Sequence, residues 1–184
     1  MQRLPLDVIG CDLSPRLAAA AAAHGPVVVA RLPDLRWVRD RTMAAVYSVL
    51  VVEHLPTLEG FFEAAHRVTQ VGGHLVVISN HPAYTAPGAG PVIDLSDGEV
   101  LWRWGPYFAE ASGAVPAGDL TVTFHHRPLG SLLNAAADAG WSLERVEERA
   151  LSAGAVARDP GLVGQEHLPR LLGLRWARLG ATIS

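Results

Sequence analysis

Apolar positions along the chain recur with two spacings, which predict strands and helices that alternate. Stretches that are apolar on both faces indicate buried parallel strands, whereas apolar residues three or four apart indicate one face of a helix. The predicted strands are residues 6–11, 26–30, a strand within 44–52, 74–80, 121–124, 141–150 and 171–180. The predicted helices are residues 15–24, a helix that starts at Thr57 and runs to about Val68, and residues 128–139.

Residues with strong turn or capping preferences mark the ends of these elements. Ser14 can cap the first helix, Pro15 suits its first position, and Gly25 ends it. The alternation of strands and helices predicts an α/β sandwich with a mostly parallel sheet. No helix is predicted between the last two strands, so these are expected to pair antiparallel. Residues 1–184 show no repeat or boundary, and we expect one domain.

Residues 81–127 break this regular pattern. They are rich in proline, glycine and aromatic residues, and only Thr121–Phe124 within them has the pattern of a strand. Ordered loops of this length in compact domains are usually functional. The segment is therefore expected to be an insert or a substrate lid.

Composition excludes several classes of partner. About 49% of residues are hydrophobic and the formal net charge is −3, with no cluster of basic side chains, which argues against nucleic acid and anionic membranes. The longest apolar run, residues 44–52, is too short to span a bilayer. The N-terminus lacks a signal-peptide pattern, and the single cysteine, Cys11, excludes an internal disulfide framework. We expect a soluble cytoplasmic protein.

Five phrases, in their order and spacing, resemble the small-molecule class I S-adenosylmethionine (SAM)-dependent methyltransferases of the type 11 kind. They are VIGCDLSPRL at 8–17, VYSVLVVEHL at 46–55, VTQVGGHLVVISNHP at 68–82, HHRPLGSLLNAAADAGWSLERVEE at 125–148 and LPRLLGLRWARL at 168–179. The resemblance covers nearly the whole chain. It implies a Rossmann-like three-layer α/β sandwich whose mostly parallel sheet ends in an antiparallel strand.

The resemblance also implies that the chain starts at the family's second strand, without the first strand and its Gly-rich turn. The one G-x-G, Gly88-Ala89-Gly90, lies in the insert rather than between a strand and a helix. We expect residues 6–11 to pair in parallel with residues 46–49, in place of the absent strand. A homodimer or a partner chain that covers exposed sheet edges is a further expectation.

Several residues match cofactor-binding positions of that family. Asp12, at the end of a strand, would accept hydrogen bonds from ribose hydroxyls, or else only orient the following helix. Leu13 and Leu32 would enclose adenine, and Ser48 would line the cofactor cleft. Arg31 stands where the family has an acid for the adenine amino group, so Asp34 is the remaining candidate. Because the Gly-rich turn is missing, SAM is expected to bind weakly or not at all.

Histidines are the candidates for proton transfer. His54 follows one strand and His81 another, and either could act as general base or be a hydrogen-bonded structural residue. His125 and His126 are adjacent, so they should point to opposite faces of a strand. The eight histidines include no metal-binding spacing, and no metal is expected. Glu53 is expected to be a solvated loop or helix residue.

Aromatic residues of the insert are candidates for contact with an acceptor. Trp102, Tyr107, Phe108 and His126 would line a pocket for a small molecule, and Tyr107 and His81 are expected to share it. Alternatively, the aromatic residues only fasten the insert to the sheet.

The resemblance implies a SAM-dependent methyltransferase acting on a small-molecule acceptor, or a truncated member of that family. The alternative is a methyltransferase-like protein that is inactive or repurposed and binds a small molecule or assists another protein.

Overall fold

The chain divides into two compact units, Met1–Arg39 and Asp40–Ser184. The structure, a computed structural model, describes residues 7–117 and 120–180, without the side chains of residues 115–120. Among these residues, no helix has both the length and the apolar character that crossing a membrane requires.

Unit 1 is a single β-α-β motif. It contains β1 (Gly10–Asp12), α1 (Pro15–Ala21) and β2 (Val27–Val29). The two strands pair in parallel, with Gly10 opposite Val27. The predicted cap is confirmed, since the Ser14 side chain accepts a hydrogen bond from the Leu17 N–H, with Pro15 at the first helical position.

Unit 2 holds the larger sheet and the insert. Its elements are β3 (Met43–Val49), a 3-10 turn (Val52–His54), α2 (Glu59–Val68), β4 (Thr69–Asn80), α3 (Pro82–Thr85), β5 (Gly90–Ile93), β6 (Val100–Arg103), β7 (Ala111–Ala117), β8 (Leu120–His126), α4 (Leu129–Asp138), β9 (Trp141–Arg149), α5 (Ala153–Arg158), a second 3-10 turn (Pro160–Leu162) and β10 (Leu171–Arg178). Four strands form a sheet in the order β3-β4-β10-β9. β3 and β4 are parallel, and β10 is antiparallel to both neighbours, which confirms the antiparallel pairing predicted for the last two strands.

The core of unit 2 lies on the face of this sheet that α2 and α4 cover. Apolar side chains of α2 recur at helical spacing and are buried, as the sequence pattern predicted. The Phe62 ring meets the Trp176 ring edge-on at 5.6 Å, and the Trp141 indole N–H donates to the Phe62 carbonyl. The largest fully buried apolar side chains are Phe61, Phe62, Leu75, Leu172, Leu174 and Trp176.

The predicted pairing of residues 6–11 with residues 46–49 is wrong. β1 has β2 as its partner, and β3 pairs with β4. The β1–β2 ladder closes over a short helix, so its loop entropy is small. Local closure within one β-α-β motif therefore pairs one edge of β1.

The insert contains four strands, where the sequence predicted only residues 121–124. β5 pairs with β6 and β7 with β8, each as an antiparallel hairpin. β5 carries Gly90 and Pro91, and β7 carries Pro116, residue types that lower strand propensity. The short helix α5, which begins at the capping residue Ser152, was not predicted either.

Candidate functional site

The carboxyl ends of β1 and β2 bring the predicted nucleoside-binding residues of unit 1 together. The Ala30 N–H donates to the Asp12 carbonyl at 3.0 Å, so the segments that follow the two strands start side by side. The Asp12 Oδ1 atom accepts a hydrogen bond from the Ser14 N–H at 2.7 Å. This contact fulfils the helix-orienting role and uses one of the two carboxylate oxygens.

The loop after β2 holds Asp34 in an ion pair. The Asp34 N–H donates to the Arg31 carbonyl at 2.9 Å, which closes a turn that contains Leu32. Both Asp34 oxygens bind Arg36: Oδ1 accepts from the Arg36 backbone N–H and from Nε–H, and Oδ2 accepts from the terminal guanidinium nitrogen at 2.7 Å. In this arrangement Asp34 is engaged by Arg36, while Leu13 is 53% exposed and Leu32 half-buried.

Ser48 lies in the core of unit 2. It stands opposite Val77 in the β3–β4 ladder and is 5% exposed. Its hydroxyl is buried without a hydrogen-bond partner among the described residues. The cofactor-lining role of Ser48 stays a prediction.

A small cavity with polar and apolar lining residues lies beyond the carboxyl ends of β3 and β4. Its volume is about 30 Å³, enough for one water molecule or one hydroxyl or amino group. The lining residues are Val52, Glu53, Leu58, Ser79, Asn80, Pro82, Thr85, Phe124, His125, Arg127 and Leu132. We call this recess the Glu53 cavity.

Glu53 is buried at this cavity, which corrects the expectation of a solvated side chain. It is 6% exposed because it sits in the 3-10 turn directly after β3. Its Oε1 atom accepts from the Asn80 backbone N–H at 3.2 Å and from the Asn80 side-chain amide at 2.9 Å. Its Oε2 atom is buried and has no hydrogen-bond partner among the described residues.

Arg127 holds the segment that carries Glu53. Its guanidinium donates to the carbonyls of Leu55 at 2.5 Å and Pro56 at 2.8 Å, with a longer contact to the Val52 carbonyl at 3.4 Å. Burial lowers the pKa of Arg127, and the charges of Glu110 and Glu59 oppose this shift.

His125 and His126, which are expected on opposite faces of β8, have different neighbours. His125 lines the Glu53 cavity. Burial lowers the pKa of His125, and the nearby charges of Arg127 and His54 lower it further. The ring of His125 is therefore neutral at neutral pH.

His126 is 2% exposed, and both of its ring nitrogens are engaged. Nε2–H donates to the Tyr107 carbonyl at 2.8 Å, and Nδ1 accepts from the Thr85 hydroxyl at 3.0 Å. His126 therefore joins α3 to the insert.

The two predicted proton-transfer histidines differ in environment. The Nδ1–H of His54 donates to the Thr123 carbonyl at 2.9 Å, and the exposed ring packs edge-on against Phe124. His81 is 5% exposed; its Nδ1 accepts from the Ala83 N–H, and Nε2–H donates to Glu148 at 2.8 Å. Both ring nitrogens of His81 thus have hydrogen-bond partners, whereas the Nε2 atom of His54 has none among the described residues.

Trp102 and Tyr107 hold the insert in place through hydrogen bonds. Trp102 stacks on Tyr84 at 5.0 Å and donates its indole N–H to the Ala83 carbonyl. The Tyr107 hydroxyl accepts from the Leu129 N–H, and Phe108 is 86% exposed. Neither Tyr107 nor His81 lines the Glu53 cavity, so these contacts fit the alternative in which the aromatic residues hold the insert in place.

Sequence reasoning missed Glu53, His125 and Arg127 as a group. The signals present were the acidic residue directly after a strand and the alternation along β8 that separates His125 from His126. The contact of Arg127 with residues some 70 positions earlier had no local signal. Within residues 7–117 and 120–180, no three His, Cys, Asp or Glu side chains cluster as a metal site requires.

Comparison with known proteins confirms the resemblance. A family model described as "Methyltransferase domain" matches residues 1–77, and no curated protein sequence matches the chain. An S-adenosylmethionine-dependent methyltransferase from Mesorhizobium loti is 28% identical, with a TM-score of 0.77 over 92% of this chain and 80% of that chain.

Two further structures share the fold at lower identity. A Listeria monocytogenes protein assigned to the same enzyme class is 18% identical, with a TM-score of 0.79 over 95% of this chain and 81% of that one. A Clostridium acetobutylicum methyltransferase is 13% identical, with a TM-score of 0.59 over 94% of this chain and 75% of that one. The chain therefore has the Rossmann-like fold of the class I S-adenosylmethionine-dependent methyltransferases, and the sequence pattern of the methyltransferase domain family runs through its first 77 residues.

Proposed function

We propose that this protein transfers a methyl group from SAM to a small-molecule acceptor in the cytoplasm. One observation supports this most strongly: the Asp12 carboxylate stands at the carboxyl end of β1, where ligands bind in sheets of this kind. Its Oδ1 atom holds the start of α1. The other oxygen has no partner among the described residues and is the group that would accept a ribose hydroxyl.

The residues of unit 1 suit the adenosine part of SAM. Asp12 supplies the acceptor oxygen, and Leu13 and Leu32 follow the two adjacent strands and offer apolar surface for a purine. When bound, SAM supplies an electrophilic sulfonium methyl group. The role left to the protein is alignment of the acceptor, which alone contributes a large part of the rate in reactions of this type.

Asp34 is the residue of unit 1 that suits adenine binding least. Both of its oxygens bind Arg36, so the adenine amino group would have to displace an existing ion pair. That pair is exposed at the surface, so its loss costs little. We keep the expectation that SAM binds more weakly than about 1 μM, because the G-x-G of this chain, Gly88-Ala89-Gly90, lies in the insert rather than between a strand and a helix.

Calorimetric titration of the full chain with SAM tests the proposal. Asp12→Asn removes the carboxylate charge and should weaken binding about tenfold or more, because a charged acceptor bond is lost. Asp138→Asn is the matched control, since Asp138 is exposed on α4. Equal affinities for wild type and Asp12→Asn would contradict the assignment of Asp12.

A second candidate is a methyltransferase-like protein that binds a small molecule without methyl transfer. The Asp34–Arg36 ion pair favours this second candidate, because it occupies the carboxylate that would accept a hydrogen bond from the adenine amino group. Incubation with methyl-labelled SAM and a mixture of small phenols and amines separates the two candidates. Labelled product supports the transferase, and absence of SAM binding in the titration supports the second candidate.

A further inference from the structure

We infer that Glu53, together with His125, recognises the acceptor by accepting a hydrogen bond from its hydroxyl or amino group. This inference deepens the proposed function and rests on it for the word acceptor. The ligand class is a small, largely apolar molecule that carries an O–H or N–H donor.

The unpartnered oxygen of Glu53 is the first observation behind this inference. The side chain is 6% exposed, and Oε2 is buried at the wall of the cavity without a donor among the described residues. Burial of a carboxylate oxygen without a donor raises the free energy of the folded protein, because the hydrogen bonds that the oxygen made to water are not replaced. An occupant that brings an N–H or O–H group to this atom would remove that cost.

The donors of Asn80 and Arg127 are directed to other acceptors. The Asn80 amide and backbone N–H groups bind Oε1. The guanidinium of Arg127 donates to the carbonyls of residues 52, 55 and 56. The Oε2 atom of Glu53 is thus available to a ligand, and Arg127 places a positive charge in the cavity wall.

His125 supplies a second acceptor in the same wall. Burial, Arg127 and His54 lower its pKa, so one of its ring nitrogens carries a lone pair at neutral pH. The titratable and charged groups around it are Glu53 and His54 from the 3-10 turn and Arg127 after β8. This lone pair, beside the Glu53 carboxylate, favours a ligand group that donates a hydrogen bond.

The remaining wall is apolar and sets the shape of the ligand. Val52, Leu58, Phe124 and Leu132 line the recess. A volume of about 30 Å³ admits the donor group itself, while the apolar body of the molecule would lie outside the recess, beside the half-buried ring of Phe124. Benzyl alcohol and benzylamine have this form, and toluene is the same shape without the donor.

Nuclear magnetic resonance of the full chain, labelled with ¹³C at glutamate carboxyl carbons, tests the inference without SAM. The Glu53 signal is identified by its loss in Glu53→Gln. Benzyl alcohol and benzylamine should shift this signal and bind about tenfold or more tighter than toluene. The preference should vanish in Glu53→Gln and persist in Glu63→Gln, a control at an exposed position of α2.

Three results would overturn the inference: an unshifted Glu53 signal, equal binding of toluene, or an unchanged preference in Glu53→Gln. If Glu53→Gln does not fold, the affinities of the three probes for the wild type still decide, because equal binding of toluene overturns the inference without an assigned Glu53 signal. Probe binding without methyl transfer would contradict the proposed function and leave this site supported. Methyl transfer to a phenol at full rate in Glu53→Gln would support the proposed function and contradict the role of Glu53 in recognising the acceptor.

Discussion

Arg127→Met should loosen the segment that carries Glu53 and His54. The guanidinium binds the carbonyls of Leu55 and Pro56 at 2.5 and 2.8 Å, and its contact with the Val52 carbonyl is longer, at 3.4 Å. Methionine keeps the apolar stem and removes every donor. The substitution therefore isolates the hydrogen bonds from the packing of the side chain.

The expected loss of stability follows from these contacts. Two short bonds from a charged donor are worth about 1.5–3 kcal/mol each, and the contact at 3.4 Å adds little. Pro56 is exposed, so water can replace its lost donor, whereas Leu55 is buried and its carbonyl is left without one. The half-burial of Arg127 also costs desolvation in the native protein. We expect a net loss of about 2 kcal/mol.

Urea unfolding measures the free energy, and amide hydrogen exchange of residues 52–58 locates the effect. Arg158→Met is the control, because Arg158 is exposed on α5. The free energy of unfolding of Arg127→Lys should lie between those of Arg127→Met and Arg158→Met, since one ammonium group cannot bind both carbonyls. If Arg127→Met matched Arg158→Met in stability and in exchange of residues 52–58, the proposed holding role of Arg127 would be refuted.

Three other substitutions test the fold. Trp176→Ala should lower the free energy of unfolding in urea by about 3–5 kcal/mol, because it empties a fully buried site; a loss below 1 kcal/mol would contradict that packing. Gly73→Ala should cost about 1–3 kcal/mol in the same assay, since its Cβ would lie 2.7 Å from the Ala44 carbonyl oxygen, whereas Gly113→Ala meets open space and should be nearly neutral. Burial and two nearby arginines lower the pKa of His66, so the unfolded chain binds that proton first and stability should fall as the pH drops below about 6.5. His66→Gln should remove that part of the pH dependence of the urea midpoint, and an unchanged slope would contradict it.

Local features of the sequence determined much of the framework. Ser14 and Pro15 marked the start of α1, because capping and proline geometry depend only on neighbouring residues. The apolar spacing of α2 identified its buried face, since 3.6 residues per turn bring those side chains to one side. The order of the five family-like sequence segments along the chain was enough to indicate the methyltransferase fold. The alternation along β8 likewise separated His125 from His126.

Only the tertiary structure decided which strands pair and which polar groups are buried. β1 pairs with β2, and the insert forms two hairpins, because backbone hydrogen bonds can be satisfied by any suitable neighbour and short strands carry little pattern of their own. Glu53 looked like a solvated residue, since nothing within a few positions of it shows the Asn80 side chain or the cover that buries it. The Glu53 cavity is lined by segments that are far apart in the chain. Only the packing of the folded protein brings these segments together.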